Sequence, residues 1–79
     1  MMSLTAQQVI SYLNENLHLE EKLESETTLF SSGLLDSVMM MNLIMFVEEK
    51  QGKQVNPADV TLDNFDTPSR IVSFIESLQ

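Results

Sequence analysis

Ser37 is placed where a hydroxyl can be both reached and held. It follows Gly33-Leu34-Leu35-Asp36 and precedes a stretch, Val38 to Val47, in which nine of ten residues are apolar. Asp36 suits an N-cap, because its carboxylate can accept hydrogen bonds from the unpaired N–H groups of a first helical turn. Ser37 then falls at the helix start, where the end of the macrodipole favours negative charge and backbone donors stand exposed. The chemistry that fits such a position is attachment of a phosphodiester to the serine oxygen. As a bare dipeptide, Asp-Ser before an apolar run is ordinary helix-start punctuation. Its surroundings give it weight.

Other chemistry finds little support. His18 is the single histidine, and it lies in an acidic stretch away from Ser37. A Ser-His-Asp triad assembles from distant positions, but it also needs an oxyanion hole and a cleft, and 79 residues leave little room for them. His18 therefore reads as a solvated surface residue, and Ser37 as a hydroxyl that nothing nearby activates. Asp59, Asp63 and Asp66 lack the glycine and spacing of an EF-hand loop, so no metal site is expected. Glu20-Glu21 and Glu48-Glu49 read as solvated faces.

The elements that must position Ser37 follow from periodicity. Ala6, Val9, Ile10, Leu13 and Leu17 form an apolar stripe at helical spacing, giving a first helix that ends near Asn16. His18 to Gly33 is then a long acidic loop, with Leu23, Leu29 and Phe30 expected to pin it to the core; loops of this length are usually functional. The central helix runs from Ser37 to about Gln51 and closes at Gly52 in a positive-φ conformation. Because one core-facing stripe needs only about three or four apolar positions in two turns, this helix cannot be buried all round. About half of Met39, Met40, Met41 and Met45 should reach the surface, and exposed apolar side chains in a continuous patch mark interaction sites. Val55, Val60 and Leu62 are expected to anchor the next segment, which Asn56-Pro57 breaks, with one short helical turn between Thr61 and Asp66. Thr67 caps the last helix, Pro68 takes its first position, and Ile71, Val72, Ile75 and Leu78 are its expected buried face, Phe74 lying at the margin. Val9, Leu13, Leu43, Val47, Ile71 and Ile75 should form the centre.

Composition bounds the rest. The chain reads as one small domain, residues 1–79, near the size where a single core barely suffices. Net charge is −8, from twelve acids against four bases, which disfavours nucleic acid and anionic lipid and suits partners with basic patches. No cysteine is present, so no disulfide framework or thiolate chemistry is available. No apolar run approaches the roughly 20 residues that span a bilayer, and the first residues lack a secretory signal's pattern. A cytoplasmic monomer without membrane insertion is the expectation.

Leu29-Phe30 with Gly33-Leu34-Leu35-Asp36-Ser37-Val38 resembles the attachment-site signature of acyl, peptidyl and aminoacyl carrier proteins. The likeness covers nearly the whole chain, and Asn64-Phe65-Asp66-Thr67 followed by Ile71 and Ile75 is similar to the family's closing segment. It implies an all-α four-helix bundle of the acyl-carrier type, with three main helices, one short helix and a long loop between the first two. It further implies 4′-phosphopantetheine esterified to Ser37, Asp36 aiding recognition by the phosphopantetheinyl transferase, and an acyl or aminoacyl thioester on the arm. Implied partners are that transferase, an adenylating acyl or aminoacyl ligase and a downstream transferase or synthase. The carrier itself would not be an enzyme. Val38 stands where leucine is commonest, and Met39, Met40 and Asn42 lie where many fatty-acid carriers place acids, so the lead-in looks closer to stand-alone aminoacyl carriers, D-alanyl carriers included. Val38, Met40, Met41 and Met45 are the expected partner surface. The alternative is a carrier-like helical adaptor that grips a partner through the Met-rich helix without a prosthetic group. A small hydrolase dependent on Ser37 and His18 is a remote third.

Overall fold

A computed structural model of the chain describes residues 4–17 and 22–78. His18, Glu20 and Glu21 lie outside them. The described residues form α1 (Ala6–Asn16), α2 (Ser37–Gln51), a 3₁₀ turn (Pro57–Asp59), α3 (Leu62–Phe65) and α4 (Pro68–Ser77). The architecture is the all-helical bundle that the resemblance implies, with α4 packed against both α1 and α3.

α1, α2 and α4 each begin where a side chain answers an orphan donor, whereas Thr61 at the head of α3 makes no such bond. Thr5 and Gln8 form a reciprocal capping box on α1: the Gln8 N–H donates to Thr5 Oγ1 (3.2 Å) and the Thr5 N–H to Gln8 Oε1 (2.9 Å). Thr67 accepts from the Arg70 N–H at 3.1 Å, with Pro68 in the first position of α4. α2 stops at Gly52, whose φ of 75° is left-handed and whose N–H returns to the Glu48 carbonyl. The Glu48 carboxylate then accepts from the Val55 N–H (2.8 Å), turning the chain back as Val55 becomes buried.

The centre is the expected one. Val9, Leu13, Leu43, Val47, Ile71 and Ile75 are all fully buried, joined by Leu29 and Phe65. Leu23 is buried and Phe30 packs partly against the same cluster, so both pin the loop as expected. α1 and α2 also meet through Tyr12 and Phe46, stacked at 4.2 Å, while the Tyr12 hydroxyl donates to the Asn42 carbonyl.

Three details differ from the sequence reading. Phe74 is buried rather than marginal, because its ring lies 5.6 Å from Phe65 of α3, a neighbour that helical periodicity within α4 does not reveal. Leu62 is half exposed rather than an anchor; a one-turn helix offers one inward place, and the larger Phe65 takes it. Asn56-Pro57 does not merely break the chain: Asn56 Oδ1 accepts from the Ala58 N–H (2.9 Å) and starts the 3₁₀ turn.

The long loop between α1 and α2 hangs from the corner where α3 meets α4. The Ser69 N–H donates to the Ser25 carbonyl (2.9 Å) and the Leu29 N–H to the Asp66 carbonyl (2.6 Å). Asp66, only 4% exposed, receives the Phe30 and Ser31 N–H groups on Oδ1 (2.9 Å each) and the Ser31 hydroxyl on Oδ2 (2.7 Å). Burial pushes the Asp66 carboxyl up, but the bonds from Ser31 and Phe30, with the Arg70 charge, outweigh it and hold the group below its ordinary 3.8.

Two outcomes test this packing. Leu43→Ala should cost on the order of 2–5 kcal/mol in urea unfolding, since a fully buried side chain leaves a cavity; a negligible loss would mean that α2 buries another face. A carboxyl depressed on folding contributes stability above its unfolded pKa and loses it as pH falls through the folded value. The stability gap between wild type and Asp66→Asn should therefore be constant near neutral pH and shrink in acid. A pH-independent gap would contradict the clamp.

Candidate functional site

The site begins with a turn. Gly33, at φ 80°, lets the chain reverse, and its N–H donates to the Phe30 carbonyl at 3.0 Å. Leu35 returns to the loop base, donating to the Leu29 carbonyl at 2.7 Å, and is itself buried. Asp36 is thereby delivered to the N-cap, where Oδ1 accepts the Met39 N–H at 3.0 Å. Ser37 is the first residue of α2, and its side chain is exposed.

The Ser37 side chain thus stands exposed at a helix head, beside an aspartate whose carboxylate is engaged in capping. The described residues contain no group of three or more acids or histidines able to hold a metal. No helix among them is long and apolar enough to cross a membrane.

The outward side of α2 continues from the serine. Val38, Met41 and Met45 are 63%, 67% and 59% exposed, and their spacing of three and four places them in one row. Met39 and Met40 instead pack partly against the core. The methionines thus divide evenly between core filler and surface. A separate concavity, lined by Tyr12, Phe46 and Lys50 among others, lies on another side. Phe46 is nine residues from Ser37, about two and a half turns, which puts it across the helix.

The residues fit a phosphate-linked arm: the oxygen is open to solvent, the first turn supplies backbone donors, and apolar side chains flank the exit. The model of the family described as "Phosphopantetheine attachment site" matches residues 7–75. The chain belongs to that family of carrier proteins. Its members bear 4′-phosphopantetheine and are generally non-catalytic. The chain is 28% identical over 75 residues to the D-alanyl carrier protein of Lactobacillus acidophilus, covering 95% of each. With the D-alanyl carrier protein of Abiotrophia defectiva it shares 32% over 71 residues, 89% of this chain and 90% of that one. It is also 39% identical over 56 residues to Lincomycin biosynthesis protein LmbN of Streptomyces lincolnensis, of whose length it spans only 20%.

One participant escaped the sequence reading. The sequence places Asp66 at the end of a short turn, in a closing segment and among acids unfit for a metal site, whereas its carboxylate holds the base of the loop that leads to Ser37. Its partner Ser31 lies 35 residues away, and no local pattern connects them. Asp36 has a local role that can be measured: Asp36→Ala should lower stability by about 0.5–2 kcal/mol through the lost cap, with the Met39 amide exchanging faster. Unchanged exchange at Met39 would show that the cap is not formed.

Proposed function

We propose that this chain is a free-standing carrier whose Ser37 oxygen bears the 4′-phosphopantetheine arm, and that its cargo is an aminoacyl group. The exposure of Ser37 at the head of α2, inside a family match that spans residues 7–75, carries the reading. In the modification Ser37 Oγ gives up its proton and forms the ester bond to phosphorus, while the nucleotide half of coenzyme A leaves. The base and the metal belong to the transferase, and the capped helix end contributes a hydroxyl of fixed position. When bound, the arm supplies a thiol that holds cargo as a thioester, chemistry that is the cofactor's own.

The aminoacyl assignment is supported by the D-alanyl carriers among the relatives and by the uncharged side chains at Met39, Met40 and Asn42. The partners proposed are a phosphopantetheinyl transferase, an adenylating ligase and a downstream transferase, acting in the cytoplasm, where adenylating ligases find ATP. Val38, Met41 and Met45 are proposed as the surface they touch, with Met40 contributing at its edge. A family defined by its attachment site does not favour an adaptor lacking the group.

Incubation with coenzyme A and a broad-specificity transferase should add the mass of one phosphopantetheinyl group. Ser37→Ala should add none; addition to that variant would remove the assignment. Changing Met41 and Met45 together to Ser should leave the fold intact and weaken loading by the ligase by about tenfold or more, as loss of central apolar contacts does at interfaces. Unaltered loading would place the partner surface elsewhere.

A further inference from the structure

Asp66 is the one buried charged side chain among the described residues, and what it binds is the loop that leads to Ser37. Three donors converge on its carboxylate, from Phe30 N–H, Ser31 N–H and Ser31 Oγ, and a fourth, Leu29 N–H, reaches its carbonyl. The loop closes just beyond: Leu35 donates back to the Leu29 carbonyl, and the residue after Leu35 is the cap of α2. Residues 29–35 are therefore a short closed loop with buried leucines at both ends and an anchor at its base. Such loops pack by their own side chains, but their backbone donors need partners from elsewhere. Here a carboxylate supplies them, in bonds strengthened by its charge.

We propose that Asp66 is a positioning residue for the modification of Ser37. By fixing the base of residues 29–35 it holds the lead-in and the serine in the one arrangement that a transferase grips. This rests on the reading of Ser37 as the modified residue. Without the carboxylate the loop base is released, and only a fraction of molecules presents the lead-in correctly. A partner that binds only that fraction sees an affinity lowered by the same factor, while the step after binding is unaffected. The signature is a raised KM at a nearly constant kcat.

The test compares phosphopantetheine transfer onto wild type, Asp66→Ala, Asp66→Asn and Ser31→Ala, with Val9→Ala as a destabilised core control distant in sequence from the loop. Transfer from coenzyme A by a broad-specificity transferase is followed by intact mass, at a temperature where circular dichroism shows every variant folded. Asp66→Ala should raise KM by about tenfold, the scale expected for losing charge-assisted bonds, with kcat little changed. Asp66→Asn should recover most of the loss, because its amide oxygen still accepts both N–H groups. Ser31→Ala, lacking one bond, should fall between, and Val9→Ala should keep the wild-type KM. A wild-type KM for Asp66→Ala, or an equal rise in Val9→Ala, overturns the proposal. If Asp66→Ala does not fold, Ser31→Ala decides, and an unchanged KM there overturns it. A wild-type chain that takes no arm removes the Ser37 reading itself, an outcome distinct from any of these.

Discussion

The structure depends on a carboxylate that is far in sequence from the residue it serves. The segment between α1 and α2 has no helix of its own among its described residues, and its internal turn bonds, from Thr27, Gly33 and Leu35, leave the donors of Leu29, Phe30 and Ser31 to be answered from elsewhere. Asp66 answers those of Phe30 and Ser31, and its carbonyl answers Leu29. Two apolar anchors, Leu29 and Leu35, hold the same segment from the core side. A buried polar group costs free energy unless it is bonded, and here carboxylate and loop satisfy one another. The α3–α4 corner thereby determines how the head of α2 is presented.

α2 joins that presentation to the rest of the molecule. Its inward residues, Leu43 and Val47, lie in the common core, while Val38, Met41 and Met45 look outward in line with Ser37. Exposed apolar side chains in a continuous row mark either an interaction site or an aggregation hazard. Methionine suits the purpose proposed, because its unbranched thioether adapts to differently shaped partners. In the proposed reading the carrier's own chemistry is slight, and its contribution is the geometry of the Ser37 oxygen and the surface around it.

Much of this was legible in the chain because it is local. Asp36, Thr67-Pro68 and Gly52 announce helix ends through bonds spanning a few residues, and each does so in the structure. Val9, Leu13, Ile71 and Ile75 follow from the apolar stripes of α1 and α4, while Leu43 and Val47 lie in a helix apolar nearly all round, where spacing alone marks no face. The capping box of Thr5 and Gln8 and the cap at Asn56 are local as well, each spanning two or three residues. What could not be read is long-range. Phe74 is buried by a ring on a different helix, and Asp66 is recruited by a loop more than thirty residues earlier. Nothing in the periodicity of either segment encodes the other.

Amide hydrogen exchange on the unmodified wild-type chain tests the central claim, that the lead-in to Ser37 is fixed by the α3–α4 corner before any partner arrives. The account predicts that the Leu29, Phe30, Ser31 and Leu35 amides are protected to the same degree as those of α4, opening only when the domain does. Exchange at those four amides as fast as in a free peptide, with α4 still protected, would contradict it.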